Sequence, residues 1–197
     1  MARPRLHDPE DLRLMIIAAA RNMLRNEEAG TLTARSLAKP LSIPASAIYR
    51  IFPTMSDVIM AVNQETFAEL EALFDALPQD HPPADRLIAI SAQYMGFMQD
   101  NPNLWRALFT GMRRQQNYPE WYLDAIQSLL TRLANILREI QPELSEDLAL
   151  ETAGRLYVTA HGAISLELDG RLEIITSLNG QEIALGAITN TIIELSR

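Results

Sequence analysis

The residues best suited to a chemical task lie in one short stretch, SIPASAIYRIF, which begins at position 42. Ser46 can hydrogen-bond to a base edge or to a phosphate, and Ala45 or Ala47 can contact a thymine methyl group. Tyr49 and Arg50 follow one helical turn later, where a phenol and a guanidinium can bind phosphate oxygens. This order, small residues first and phosphate-binding residues next, predicts a helix that approaches DNA closely.

Other chemistries lack the residues that they need. The chain has no cysteine, which excludes disulfides and thiolate chemistry. Its three histidines, His7, His81 and His161, are not paired at the spacing of metal ligands. The sequence contains no glycine-rich phosphate loop and no Ser-His-carboxylate grouping with a recognisable turn. We therefore predict a protein that is not an enzyme and that requires neither a metal nor another cofactor.

Charge is distributed unevenly along the 197 residues, which carry a formal net charge of −8. Residues 1–60 hold eight basic and six acidic side chains, whereas the remaining residues hold nine basic and nineteen acidic ones. A basic segment joined to an acidic body indicates a nucleic-acid-facing part and a part with another role.

Neither a membrane span nor a signal peptide is predicted. No uninterrupted apolar run approaches the roughly 18 residues of a membrane span. The run LMIIAAA near the N-terminus follows acidic residues that a signal peptide would lack. We therefore expect a cytoplasmic protein that does not contact a membrane.

Helical periodicity extends over almost the whole chain, and no segment alternates in the way that half-buried strands do. The predicted helices cover residues 8 to about 30, ended by Gly30, then 33–39, 44–51, 54 to about 77, 84–99 and 103–111, and three longer segments that begin after QNYPE, at LSEDLALE and after Asn179. Capping residues are expected at Asp8, at Thr54 with Asp57, and at Asn179 with Glu182. The predicted fold class is all-α, with about nine helices in total.

Two short helices joined by a tight turn and braced by a longer helix form a helix-turn-helix, whose second short helix lies in the DNA major groove. Residues 1–53 are therefore predicted to form a three-helix DNA-binding domain. Arg3 and Arg5 either form an arm along the DNA backbone or in a narrow minor groove, or belong to a solvated tail. The predicted DNA contacts are Arg3, Arg5, Thr33, Arg35, Lys39, Ala45, Ser46, Tyr49, Arg50 and Thr54.

The segment from Leu32 to Ile59, LTARSLAKPLSIPASAIYRIFPTMSDVI, resembles the DNA-binding signature of the TetR family of bacterial transcriptional regulators. The segments FMQDNPNLWRALF and VTAHGAISLELDGRL resemble the C-terminal domain of one subgroup, the second being centred on His161 and Gly162. The resemblance implies that residues 54–197 form a ligand-binding and dimerisation domain. In it, the last two long helices of two copies pair into a four-helix bundle, and each subunit holds an effector pocket.

Four residues depart from the family's pattern. Pro40 stands where a helix-compatible residue is usual, so the first short helix must end early. Ser42 replaces the usual turn glycine, and Ile51 replaces a frequent histidine. Met55 stands where a lysine commonly meets phosphate, and the loss of one phosphate contact should flatten the salt dependence of DNA binding by about one unit of slope.

Two glycines point to close helix packing in the C-terminal part. Gly154 and Gly162 lie eight residues apart on nearly the same side of one predicted helix. Glycine in a helix otherwise costs up to about 1 kcal/mol relative to alanine. The packing partner is either a second copy of the chain or another helix of the same copy. The predicted dimer interface comprises Gly154, Tyr157, Gly162, Ile164, Leu168, Ile188 and Ile192.

Aromatic side chains concentrate between residues 94 and 122, which contain both tryptophans and three of the five tyrosines. Such a group forms either ordinary core or an apolar pocket with a few polar groups. His161 is either a satisfied buried histidine or a polar anchor for a ligand. The candidate ligand-binding residues are Tyr94, Met98, Trp105, Phe109, Trp121, Tyr122 and His161.

Together these features predict a homodimeric transcriptional regulator, a repressor, that binds a roughly palindromic double-stranded operator and responds to a small-molecule effector. The effector would tilt the long helix that follows residue 54 and so change the spacing of the two DNA-reading helices. The competing hypothesis is a helical ligand-binding or protein-interaction module with a weakened DNA-binding part. Pro40 and Met55 motivate that alternative.

Overall fold

The structure is a computed structural model and describes residues 8–109 and 118–197. Over these residues the chain forms nine α-helices and no strand, which confirms the predicted all-α fold. The helices are α1 (Pro9–Asn26), α2 (Ala34–Ala38), α3 (Ala45–Ile51), α4 (Met55–Asp75), α5 (Pro83–Asp100), α6 (Pro102–Ala107), α7 (Glu120–Ile140), α8 (Glu146–Leu168) and α9 (Gly180–Leu195). Short 3-10 turns occur at Ala29–Thr31 and Leu172–Ile174.

The chain divides into two compact units. The first contains residues 8–67 and 101–109, and the second contains residues 68–100 and 118–197. Helix α4 runs through the division, and α6 returns the chain to the first unit after α5. The predicted functional boundary between 1–53 and 54–197 stays a prediction.

Side-chain caps begin several helices, as the sequence predicts. The Asp8 carboxylate accepts a hydrogen bond from the Glu10 amide at 2.9 Å and starts α1. Before α4, the Thr54 amide donates to Asp57 at 2.8 Å, and the Asp57 amide donates to the Thr54 hydroxyl at 3.2 Å. Asn179 forms the equivalent reciprocal box with Glu182 at α9. These bonds satisfy amides that a helix start leaves without an intrahelical partner.

A single apolar core holds the first unit together. Ile16 of α1, Leu37 of α2 and Ile48 of α3 are completely buried in it, with Val58 of α4 and Leu104 of α6. Burying one such side chain contributes about 1.5–3 kcal/mol. The two short helices are therefore held by α1, α4 and α6 rather than by their own length, because helices of five and seven residues are not stable alone.

Two predicted helix ends differ from the structure. The prediction that Gly30 ends the first helix is wrong, because α1 ends at Asn26 and Gly30 lies in the following 3-10 turn. Helix α6 ends at Ala107 with short-range bonds from the amides of Leu108 and Phe109. Its predicted end at Gly111 lies outside the described residues.

The turn between α2 and α3 contains a strained residue. Helix α2 stops at Ala38, two residues before Pro40, as the proline requires. Ser42 then adopts a φ of 54°, in the left-handed region. A side chain in that region costs roughly 1–2 kcal/mol, a cost that glycine avoids. This geometry gives the physical reason for a glycine at that position of the motif.

Ser42→Gly is expected to raise the free energy of unfolding by up to about 1 kcal/mol, because release of the left-handed strain outweighs the greater freedom of glycine in the unfolded chain. The matched control is Ser46→Gly in α3, which should destabilise by about 0.5–1 kcal/mol. Thermal unfolding of the two variants measures the contrast. Equal losses of Tm in both would contradict the assignment of strain to Ser42.

The second unit is a helical bundle of α5, α7, α8 and α9. Leu87, Met95, Leu137, Ile164 and Ile188 are its largest fully buried side chains, with Met98. Helices α8 and α9 pack closely at the start of α9. A Cβ added to Gly180 would lie 2.9 Å from Cδ1 of Ile164 and 3.1 Å from the backbone carbonyl carbon of Ala163. A larger residue at position 180 would therefore require its neighbours to shift.

Candidate DNA-reading surface, ligand cleft and helix surface

Helix α3 divides its side chains between core and solvent. Ile48 is completely buried and Ala47 is buried beside it, so Ala47 is not placed to touch a base. Ser46 and Arg50 are exposed, and Tyr49 exposes 52% of its surface. The exposed side therefore carries a hydroxyl, a phenol and a guanidinium, with half-buried Ala45 at its N-terminal end.

Unpaired positive charge surrounds this helix. Arg35, Lys39 and Arg50 are exposed, and none forms an ion pair with any residue that the structure describes. A cation without a carboxylate partner is available for a phosphate, whose binding then releases counterions from DNA. Arg13 differs, because its guanidinium lies 5.6 Å from the ring centroid of Phe52 and helps to close the core.

The predicted hydroxyl contacts Thr33 and Thr54 are exposed but also hold helix starts. The Thr33 hydroxyl accepts from the Ser36 amide at 3.0 Å and so caps α2. Thr54 performs the same task for α4. A phosphate contact requires each hydroxyl to donate its proton. The Thr33 hydroxyl donates to Oγ of Ser36 at 3.0 Å and the Thr54 hydroxyl donates to the Asp57 carboxylate at 2.8 Å, so a phosphate would have to replace these acceptors.

Two further features noted in the sequence are the N-terminal arginines and Met55. Arg3 and Arg5, the candidate DNA-contacting arm, lie outside the described residues. Met55 is half-buried and packs against the core of the first unit. The side chain that replaces a phosphate-binding lysine therefore has a packing role in this protein.

A polar cluster lies inside the second unit. The Tyr94 hydroxyl is 3.2 Å from Nδ1 of His161. The ring of Tyr157 lies 5.7 Å from the Tyr94 ring and 5.5 Å from the imidazole, measured between centroids. This cluster joins α5 to α8 and places three groups that can hydrogen-bond next to apolar walls.

Burial keeps the cluster uncharged. It lowers the pKa of His161 from its ordinary value of 6.5, because the imidazolium loses hydration. Burial also raises the pKa of Tyr157, and a hydrogen bond with Tyr94 opposes part of that rise. At neutral pH His161 and Tyr157 are therefore neutral.

His161 should make the fold sensitive to acid. The unfolded chain binds a proton at pH 6.5, whereas the folded chain binds it only at lower pH. The contribution of neutral His161 to the free energy of unfolding is therefore fully present above pH 6.5 and is lost as the pH falls below that value. His161→Gln keeps a hydrogen-bonding side chain and removes the titration. We expect a smaller fall of Tm between pH 7 and pH 5 in the variant than in the parent protein; equal falls would contradict this prediction.

An apolar cleft adjoins the cluster. Its space amounts to about 360 Å³, part of which is open to solvent, and the inner room holds about one water molecule. Its lining comes from α5, α7 and α8: Leu87, Ile90, Ser91, Tyr94, Leu129, Leu133, Leu156, Tyr157 and Ala160. No lining residue carries a formal charge at neutral pH. A ligand larger than water must therefore move side chains apart on entry.

The structure places the predicted ligand residues in three groups. Tyr94 lines the cleft and His161 contacts Tyr94. Met98 is core, and Trp121 and Tyr122 pack on each other at 5.8 Å between centroids without lining the cleft. The remaining two, Trp105 and Phe109, belong to the first unit, where their rings lie 5.5 Å apart.

Sequence analysis missed most of the cleft lining. Leu87, Ser91, Leu129 and Leu156 look like ordinary core residues in the sequence. One sequence feature could have indicated the cleft. The spacing of Leu87, Ile90, Ser91 and Tyr94 puts two apolar side chains and two hydroxyls on a single side of α5.

An uncovered stripe runs along α8. Gly154, Val158 and Gly162 follow at intervals of four residues, and Val158 exposes 66% of its surface. A Cβ added to either glycine would meet nothing within 4 Å. In the described part of the chain, no intramolecular helix explains these glycines by close packing.

The predicted interface residues divide between this surface and the protomer core. Ile164 and Ile188 are completely buried inside the bundle and are therefore not exposed to a partner. Tyr157, Leu168 and Ile192 are half-buried. Two apolar side chains outside the predicted set, Val158 on α8 and Ile193 on α9, are exposed.

Residues 8–109 and 118–197 contain no group of three or more His, Asp or Glu side chains placed to hold a metal ion. Within the same ranges, none of the helices has the length and apolar character needed to cross a bilayer.

Comparison with known proteins adds a family and relatives. Residues 87–183 match the family described as "Tetracyclin repressor-like, C-terminal domain". A 133-residue stretch, 65% of the chain, is 27% identical to the nucleoid occlusion factor SlmA of Vibrio cholerae and spans 65% of that protein's length.

Solved structures share the whole fold at low identity. A protein with unknown function from Rhodococcus sp. RHA1 has a TM-score of 0.75 at 19% identity, covering 100% of both chains. A TetR-family transcriptional regulator from Streptomyces coelicolor has a TM-score of 0.70 at 18% identity, over 95% of this chain and 82% of its own. The helix-turn-helix with its exposed cations thus precedes a C-terminal part that matches a tetracycline-repressor-like family model, and the chain is similar in fold to solved TetR-family regulators.

Proposed function

We propose that the protein is a homodimeric, cytoplasmic repressor that binds a roughly palindromic operator and is released from it by a small molecule. It has no enzymatic role in this proposal. The observation that carries the proposal is the exposed face of α3, where Ser46, Tyr49 and Arg50 lie on one side of the helix, together with exposed Arg35 and Lys39, which pair with no carboxylate in residues 8–109 and 118–197. Such a face suits phosphate and base-edge contacts.

Dimerisation supplies the second DNA-reading helix. The stripe of Gly154, Val158 and Gly162 is apolar and uncovered, and α9 has no charged side chain between Glu182 and Glu194. Two copies that pair through α8 and α9 would bury both surfaces in a four-helix bundle. A two-fold dimer then reads two half-sites about 34–36 Å apart, or a multiple of that spacing.

Effector control is proposed as a population shift. A ligand that enters the cleft must separate α5 from α7 and α8, because the empty cleft is narrow. Helix α5 continues through Asn101 into α6, whose Leu104 is part of the first unit's core. Displacement of α5 would thus favour a state with different spacing of the two α3 helices.

The experiment is a shift assay with the DNA that flanks the protein's own gene, carried out at several salt concentrations. A specific complex whose affinity falls steeply with salt is the expected result. Binding that does not distinguish this DNA from a scrambled duplex would overturn the proposal. It would favour the ligand-binding or protein-interaction module with a weakened DNA-binding part, for which the packed Met55 is the specific observation.

A further inference from the structure

The cleft between α5, α7 and α8 is built for one class of compound. Its walls are leucines, isoleucine and alanine, and its polar groups are the hydroxyls of Ser91, Tyr94 and Tyr157. The Ser91 hydroxyl donates to the Leu87 carbonyl at 2.8 Å, so its oxygen is left to accept. Tyr94 and His161 can exchange donor and acceptor roles. A single ligand hydroxyl or carbonyl matches this set.

Ions find no counter-charge on the cleft walls. The nearest charged recess shares only Ile90 with the cleft and contains Arg86, Arg132 and Glu139. Its two arginines are already engaged: Arg86 pairs with Glu139, and Arg132 pairs with Asp75 at 2.5 Å. A charged ligand in the cleft would lose hydration without gaining an ion pair there, which is costly.

We propose that the effector is an uncharged, largely apolar molecule with one hydroxyl or carbonyl group, bound with that group at Tyr94 and His161. This inference rests on the proposed function, because it identifies the ligand class of the same regulator. Its apolar body lies against Leu129, Leu133 and Leu156, which line the cleft. The polar group replaces the hydrogen bond between the tyrosine and the imidazole.

Four probes with one carbon skeleton test the class: 3-phenyl-1-propanol, 3-phenylpropanoate, 3-phenylpropylammonium and propylbenzene. Calorimetry on the full chain at neutral pH measures their affinities. We expect the alcohol to bind at least about tenfold more tightly than either ion, because only the ions pay for an unpaired buried charge. Tighter binding of an ion, or no binding of the alcohol at low-millimolar concentration, overturns the inference.

Two variants locate the polar group. Tyr94→Phe should weaken alcohol binding by about five- to tenfold, the effect of one lost hydrogen bond, while propylbenzene binding stays unchanged. Tyr118→Phe is the matched control, because Tyr118 stacks on Tyr122 outside the cleft. Equal weakening of both compounds by Tyr94→Phe would contradict placement of the hydroxyl there.

Failure of this inference is separable from failure of the proposed function. Arg86→Gln identifies one alternative: if the acid binds best and this variant abolishes the preference, the ligand is an anion in the charged recess. The DNA shift assay is run without any probe. A chain that binds its operator but prefers an ion refutes the ligand class alone, and a chain that binds no operator refutes the regulator while the affinity ranking still stands.

Discussion

Val158→Glu is expected to convert the dimer into a monomer and to weaken operator binding by at least about a hundredfold. Val158 exposes 66% of its surface at the centre of the stripe that we propose as the dimer interface. Two-fold pairing would bring a carboxylate from each copy into an apolar environment, and each unpaired buried charge costs several kcal/mol. Operator affinity falls because a monomer holds only one DNA-reading helix.

The control for this prediction is Leu123→Glu. Leu123 is 52% exposed on α7, outside α8 and α9, so the same change of chemistry should leave the dimer intact. Analytical ultracentrifugation measures the oligomeric state of both variants, and circular dichroism verifies that both fold. If Val158→Glu remains a dimer with unchanged sedimentation, the interface lies elsewhere.

Replacement of both Tyr49 and Arg50 by alanine is expected to weaken binding to every duplex by about a hundredfold. A hydrogen bond to a charged group contributes about 1.5–3 kcal/mol, and the dimer loses such contacts twice. Because the contacts are assigned to phosphates, specific and non-specific binding should weaken in parallel. The slope of log affinity against log salt should become shallower by about two, one for each lost arginine.

Stability should change little in this double variant, because both side chains are exposed and neither belongs to the core. Arg138→Ala on α7 is the matched control, since it removes an exposed arginine from the acidic part of the chain. Fluorescence anisotropy over a range of salt concentrations measures the slopes. A loss confined to the operator, with non-specific binding intact, would show that these residues read bases instead.

The helix-turn-helix was predictable because its determinants are local. Thr33 caps α2, Pro40 stops it, and the periodicity of Ile48 and Phe52 fixes which side of α3 is buried. Each of these signals acts within a few residues of the chain. The same reasoning located the helices but not the end of α1. A glycine is only one of several signals that end a helix, and α1 ends at Asn26, before Gly30.

The cleft was less predictable, because it depends on which helices become neighbours. Both tryptophans were predicted to bind the ligand. Trp105, however, is buried in the first unit, and Trp121 does not line the cleft. The lining consists mainly of leucines, whose sequence signal is identical to that of ordinary core. Glycine was similarly ambiguous: Gly180 marks the close intramolecular crossing, whereas Gly154 and Gly162 face open space.

The left-handed serine between α2 and α3 has a practical consequence for anyone who adapts the proposed repressor as a sensor. Ser42 is not itself a predicted operator contact, and its left-handed conformation lies in the turn that joins the two short helices. Substitution there should tune how tightly the switch holds its promoter while the preferred base sequence stays the same. The affinity for the operator could then be adjusted at position 42, and the preferred base sequence could be adjusted separately at the exposed residues of α3.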